Sequence, residues 1–225
     1  MDTASQSLPS EVYTTLKKKI INFELMPGQL LIVQDVAKEF NMSRTPVREA
    51  MVRLRGEGLL VDSTGRKFKV SNISWDFICG LYQARKLIEE YSIDILSRQM
   101  PDGFMEKMRD NMTRMRENLD KKDYYAVFED DADFHKLIVD ASGNVVIREW
   151  VEDMYDRQMR VRFLSVSVGN RLEKTLEEHK AVYDAVDAGD FEHAKMLLKQ
   201  HLQNTVDELE SYRADKMSLV ATVVK

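Results

Sequence analysis

Apolar residues along this chain recur mostly at intervals of three and four, the spacing that lines one face of a helix, and the exceptions mark its organisation. Val12, Leu16, Ile20 and Phe23 predict a first helix ending near Met26-Pro27-Gly28. Gln34 to Phe40 predicts a short second helix with Val36, Ala37 and Phe40 inward, and Asn41-Met42 a tight connection into a third. In that third helix Val47, Ala50, Met51 and Leu54 form the apolar stripe. Thr45 is expected to cap it, with Pro46 at the first helical position, where a missing N–H costs nothing. Gly56-Glu57-Gly58 ends it. Leu59-Leu60-Val61 and Phe68-Lys69-Val70 then read as two short strands around a basic tip, Asp62 to Lys67. Helix, helix-turn-helix and hairpin in this order predict a winged helix-turn-helix.

After the polar connection Ser71-Asn72-Ile73-Ser74 the strand pattern does not return. A long helix capped by Ser74 or Asp76 runs toward Met100, and Phe104 to Leu119, Tyr124 to Ala141, Val145 to Leu164, Leu172 to Val186 and Phe191 to Tyr212 each keep helical spacing. The expected fold is mainly α: a winged helix-turn-helix over residues 1–73 and an all-α antiparallel helical bundle over residues 74–213. Residues 214–225 read as a tail, apolar and β-prone from Leu219 to Val224, with no partner pattern.

Charge sharpens the division. The 225 residues carry a net charge of −5, but 11 Lys+Arg face 8 Asp+Glu before Ser74, while the remaining 22 face 30. A basic head on an acidic body confines attraction for phosphate to one end. On the third helix Arg44, Arg48 and Arg55 fall within about 40° of one another, beside the apolar stripe. Arginine pairs bidentately with guanine or phosphate, and a helix of this width fits the major groove. One cysteine, Cys79, precludes an intrachain disulfide and suits a reducing compartment. The start, Met1 to Gln6, has no basic and apolar leader pattern, and no apolar run approaches the roughly 18 residues of a membrane span, so a soluble, cytoplasmic protein is expected.

The bundle carries polar residues where an ordinary helix seam would be apolar. Tyr124, Phe128, Asp131, His135 and Ile138 repeat at helical spacing, as do Leu172, Leu176, His179, Tyr183 and Val186, and then Ala194, Leu198 and His201. Three of the four histidines thus point inward from different helices with one carboxylate, a first shell for a divalent transition metal: zinc first, nickel or manganese next. His193 lies about 80° around its helix from His201 and reads as a surface residue. In the first bundle helix Ile78, Leu81, Arg85, Ile88, Ser92 and Ile95 form a seam with Arg85 inside it. A buried arginine needs an anion, which is either Glu89 one turn on or a ligand carboxylate. Arg157, Gln158 and Arg162 are weaker candidates on a helix whose inward face is ambiguous.

Met26-Pro27-Gly28-Gln29-Leu30, Val36-Ala37, the string Ser43-Arg44-Thr45-Pro46-Val47-Arg48-Glu49-Ala50, and Leu54 with Gly58-Leu59 together resemble the GntR family of bacterial transcription regulators. The resemblance implies DNA contacts at Gln34, Ser43, Arg44, Thr45, Arg48 and the wing-tip Gly65. Asp131-Ala132-Asp133-Phe134-His135, Gly143-Asn144, Glu178-His179, Gly189-Asp190 and His201-Leu202 resemble the FadR-type C-terminal ligand-binding (FCD) domain, in which Asp131, His135, His179 and His201 would hold the metal beside a small organic acid effector. The resulting expectation is a homodimeric regulator, a repressor, that binds a palindromic double-stranded DNA operator and reads a small carboxylate through Arg85. Two alternatives stand beside it. Three histidines and an aspartate could activate water in a metal-dependent enzyme, although no general base accompanies them in a known motif. The metal could also be purely structural.

Overall fold

The computed structural model describes residues 8–65, 67–165 and 171–223. The chain divides into two compact units, Met1–Ser74 and Trp75–Lys225.

The first unit contains α1 (Leu8–Ile21), β1 (Leu30–Ile32), α2 (Val33–Glu39), α3 (Arg44–Gly56), β2 (Leu60–Ser63) and β3 (Lys67–Val70). The wing is three-stranded rather than two-stranded. β3 lies between β1 and β2, antiparallel to both, with Leu31 opposite Phe68 and Leu60 opposite Val70. A strand of three residues is too short to show a period, which is why β1 is invisible in the pattern. Gly28, at a φ of 82°, turns the chain into it and donates its N–H to the Val70 carbonyl at 2.9 Å.

α3 begins one residue before the expected cap. Ser43 occupies the N-cap with extended backbone and no side-chain bond, and Arg44 is the first helical residue. Pro46 is therefore the third helical residue, still within the first turn, whose N–H groups have no intrahelical acceptor. Val12, Leu16, Ile20, Val47, Met51, Leu54, Leu59 and Phe68 close the core. Each such side chain contributes about 1.5–3 kcal/mol when fully buried. At the back of α3 Tyr13 fastens α1 to the helix end. Its hydroxyl donates to the Glu57 carboxylate at 2.8 Å and accepts from Lys17 Nζ at 2.9 Å, and the Arg53 guanidinium lies 3.7 Å over its ring.

The second unit is all-helical among the described residues: α4 (Trp75–Leu96), α5 (Phe104–Asp120), α6 (Tyr124–Ala141), α7 (Val145–Ser165), α8 (Arg171–Asp187) and α9 (Phe191–Val223). Short polar connections separate α5 to α7 and α8 from α9, and their ends are capped. The Asp123 carboxylate accepts from Ala126 N, Asn144 Oδ1 from Val146 N and Ile147 N, and Asp190 from His193 N. Ile93, Leu96, Phe104, Met108, Phe134, Ile138, Val182, Val186 and Leu198 form the main core. The final helix does not stop near Tyr212: α9 continues to Val223, so the stretch expected as a β-prone tail is helical up to that residue, and residues 224–225 lie outside the described ones. Local β propensity is a weak preference that a growing helix overrides. Tyr124, expected on the inward seam of α6, is instead exposed at the helix start.

Candidate nucleic-acid interface and metal centre

The face of α3 beside its buried stripe is where the head meets solvent. Ser43, Arg44, Thr45 and Arg48 are exposed, as are Gln34 on α2 and Gly65 at the turn between β2 and β3. Gln34, Arg44, Thr45 and Arg48 border one concave surface of about 890 Å³, floored by Ile32 and Val33. Gly65 has a φ of 76°, a backbone conformation that glycine adopts without strain, and the space that a Cβ there would enter is open. Arg55, on the same arc by helical spacing, is engaged elsewhere: its Nη1 donates to both Asp62 carboxylate oxygens at 2.9–3.0 Å. The forks presented outward are thus Arg44 and Arg48, neither of which makes an ion pair with another described residue.

In the helical unit, α6, α8 and α9 bring Asp131, His135, His179 and His201 together. All four are buried, and one ligand atom from each lies within 4.8 Å of the others. His193 is exposed, two turns before His201 on α9. His179 Nε2 is 3.4 Å and His135 Nε2 3.9 Å from Asp131 Oδ1, and the Nε2 atoms of His135 and His201 are 3.1 Å apart.

The protons of two of these rings are dictated from outside. His135 Nδ1 lies 2.6 Å from Glu89 Oε2, and His201 Nδ1 lies 2.6 Å from Glu178 Oε2. An ionised carboxylate can only accept, so each ring carries its proton on Nδ1 and turns the Nε2 lone pair inward. Those lone pairs then face each other across 3.1 Å, an arrangement that a cation relieves. His179 makes the same point differently. It is wholly buried, stacked on Phe134 with ring centroids 3.7 Å apart, and neither ring nitrogen has a hydrogen-bond partner. An unpartnered buried polar atom costs about 1–3 kcal/mol. Burial pushes His179 well below the ordinary histidine range and His135 down to about 4, which keeps both imidazoles neutral, the form that ligates metal. Burial alone would raise Asp131, but the Arg162 guanidinium on α7 holds its carboxyl well below the usual range. The donor set therefore fits a divalent transition metal.

A cavity of about 20 Å³, room for roughly one water, adjoins the cluster and is bordered by Tyr82, Arg85, Asp131, Arg162, Arg171 and His201. Arg85 does pair with Glu89, but through Nε at 2.9 Å; its Nη2 is buried with no hydrogen-bond partner. Arg171 is fully engaged, donating to Glu178, Thr205 and the His201 carbonyl and pairing with Glu208. Sequence spacing gave Arg162 little weight and passed over Arg171 and the orienting role of Glu178. α7 buries Gln158, Met159, Arg160, Val161 and Arg162 in succession, so no single stripe marks its inward face.

An exposed arginine-bearing recognition helix with a wing, in one chain with a helical unit that encloses a polar centre, is the make-up of a DNA-binding transcription regulator. The model of the bacterial regulatory proteins of the gntR family matches residues 8–70 and that of the FCD domain matches residues 80–204: the chain belongs to the GntR family, FCD group. It is 27% identical to an HTH-type transcriptional regulator in an unstable DNA locus of Streptomyces ambofaciens, over 94% of this chain and 89% of that one. It is 24% identical to the HTH-type transcriptional repressor RspR of Escherichia coli K12, over 94% and 92%. Its fold is similar to that of a GntR transcriptional regulator from Rhodococcus sp. RHA1, with a TM-score of 0.77 at 22% identity, covering 91% of this chain and 98% of that one. It is similar also to McbR/YncC of E. coli, with a TM-score of 0.74 at 21% identity, covering 92% and 99%. Among the described residues no helix is long and apolar enough to cross a membrane.

Proposed function

We propose that this regulator is a cytoplasmic, homodimeric repressor that binds a palindromic operator through Gln34, Ser43, Arg44, Thr45, Arg48 and Gly65, and whose helical domain holds a divalent metal and a small organic acid. Asp131, His135, His179 and His201 hold the metal, zinc in the first place and nickel or manganese in the second. The carboxylate of the acid is received by Arg85 beside it. The observation that carries the reading is His179, buried with two unpartnered ring nitrogens among three other inward ligand atoms. When bound, the metal supplies a fixed positive charge that draws an anion into the site. Arg85 orients that anion through its unpartnered Nη2, Arg162 holds Asp131, and Glu89 and Glu178 hold the histidine protons on Nδ1. A palindromic operator suits a two-fold dimer, because each half-site then meets one recognition helix. The repressor assignment is supported by the name of the RspR relative.

Metal analysis of the purified protein tests the centre. About one divalent ion per chain is expected, lost in His135→Ala, His179→Ala or His201→Ala and retained in His193→Ala; retention in all three ligand variants would overturn it. Operator binding is tested on duplexes that the protein selects from a random pool, with and without small carboxylates. An acid that changes operator affinity in wild type and not in Arg85→Ala is the expected result. Equal response in both would place the effector elsewhere and leave Arg85 as the structural partner of Glu89.

A further inference from the structure

Two chains of contacts of the same composition converge on the centre. In one, Arg85 Nε donates to Glu89 Oε1 at 2.9 Å, and Glu89 Oε2 receives His135 Nδ1–H at 2.6 Å. In the other, Arg171 donates to both oxygens of Glu178 at 2.8–3.0 Å, and Glu178 Oε2 receives His201 Nδ1–H at 2.6 Å. Each is an arginine bordering the cavity, a glutamate, and an imidazole with its Nε2 turned inward. They differ at the arginine: Arg171 has partners for its donors, whereas Arg85 keeps a buried, unpartnered Nη2. One chain is therefore closed and the other has an open end.

We propose that Glu89 couples the anion site to the metal site, by dividing its negative charge between Arg85 and His135. This rests on the metal and effector reading given above. Glu89 is 2% exposed, so the charges facing it are those of its buried neighbours, and each oxygen serves one donor. An anion that reaches Arg85 Nη2 neutralises part of the guanidinium charge and weakens its pull on Oε1. More of the carboxylate charge then falls on the His135 Nδ1–H, which makes Nε2 a stronger donor to metal. By linkage, metal on Nε2 acidifies Nδ1–H, draws Glu89 toward His135, and leaves Arg85 more attractive to an anion. Glu178 cannot pass the same signal, because each nitrogen of Arg171 already faces a partner, Nη1 and Nη2 on Glu178 and Nε on Glu208, whereas Arg85 Nη2 faces none. Glu89 is thus a positioning residue, since it acts through His135 and Arg85 and touches neither metal nor effector.

The amide of Glu89→Gln separates this from packing. It has the same shape but offers one acceptor and one donor, so it cannot accept from Arg85 and from His135 at once. The test titrates zinc, through a competing chelator, into metal-stripped full-length protein with and without saturating acetate. In wild type, acetate should tighten zinc binding about tenfold, within the usual range of coupling between sites. Glu89→Gln should weaken zinc binding about 10–100-fold, as loss of an orienting carboxylate does. Acetate should then have less than a twofold effect. Glu178→Gln should weaken zinc binding similarly and keep the acetate effect, which a merely structural role for both glutamates does not predict. A full acetate effect in Glu89→Gln would overturn the proposal by showing that acetate acts on the metal directly. Wild-type protein gives an independent readout, needed if Glu89→Gln does not fold. Acetate should move the His135 Nδ1–H proton resonance and leave that of His201 in place; equal movement of both would also overturn it. Wild type that binds no zinc would instead defeat the metal reading itself.

Discussion

The two units deploy arginine in opposite ways. In the head, Arg44 and Arg48 stand in solvent on a helix whose other face is packed with Val47, Met51 and Leu54, so chemistry and stability are carried by different residues. In the helical unit Arg85, Arg162 and Arg171 are each 5% exposed or less, and each is tied to a carboxylate that itself orients or belongs to the candidate metal cluster. There the same groups serve both ends. An exposed fork can be removed at little cost to folding, whereas a buried one leaves an uncompensated charge behind.

The sharpest way to break this contrast is Arg162→Met. It strands the Asp131 carboxylate in the interior and should lower the stability of metal-stripped protein by about 3–5 kcal/mol, with a smaller loss in zinc-loaded protein. Thermal or denaturant unfolding of both forms checks it; equal losses would mean that Asp131 does not face the metal. Metal removal comes next. At zinc levels several hundred times Kd, stripping wild type should cost about 3–4 kcal/mol, read as a fall in Tm on adding chelator. Arg48→Ala and Arg44→Ala should each weaken operator binding by about 1–3 kcal/mol at fixed salt while the unfolding midpoint stays put. Arg55→Ala sharpens the comparison within the head. Because Arg55 is already paired with Asp62, its loss should change operator affinity by less than about 1 kcal/mol, and an effect as large as that of Arg48→Ala would show that the pair opens on DNA.

Helical spacing made the candidate centre legible, since Asp131, His135, His179 and His201 occupy positions that an ordinary seam fills with leucine or isoleucine. What surrounds those residues was harder to see. Glu89 lies one turn from Arg85 and could be paired with it on paper, but its second oxygen reaches another helix, a contact that spacing along one element cannot reveal. Arg171 stands at the first position of α8, ahead of the apolar repeat, and Arg162 sits in a buried run with no polar face against which to set it. In the head, the recognition helix was plain while its first residue was misplaced. Thr45-Pro46 has the composition of a cap followed by a first turn, yet Ser43 takes the extended position and the helix begins at Arg44. β1 escaped because three residues pair with β3 mainly through backbone groups, which sequence does not distinguish.

The Tyr13 clamp has a consequence for how any binding curve of this protein should be read. It fastens the rear of the recognition helix with a phenol, a carboxylate and two cations that are only partly shielded from water, the side chains of Lys17 and Glu57 being 25% and 28% exposed. Added electrolyte lowers the free energy gained from each counterion that binding releases from DNA, and it also weakens that fastening by screening its charges. A plot of log affinity against log salt concentration would then bend downward at high salt instead of staying straight, and its slope there would overstate the number of phosphates touched. Tyr13→Phe, which keeps the ring beneath Arg53 but loses the hydroxyl, should straighten the plot at the cost of a lower affinity throughout.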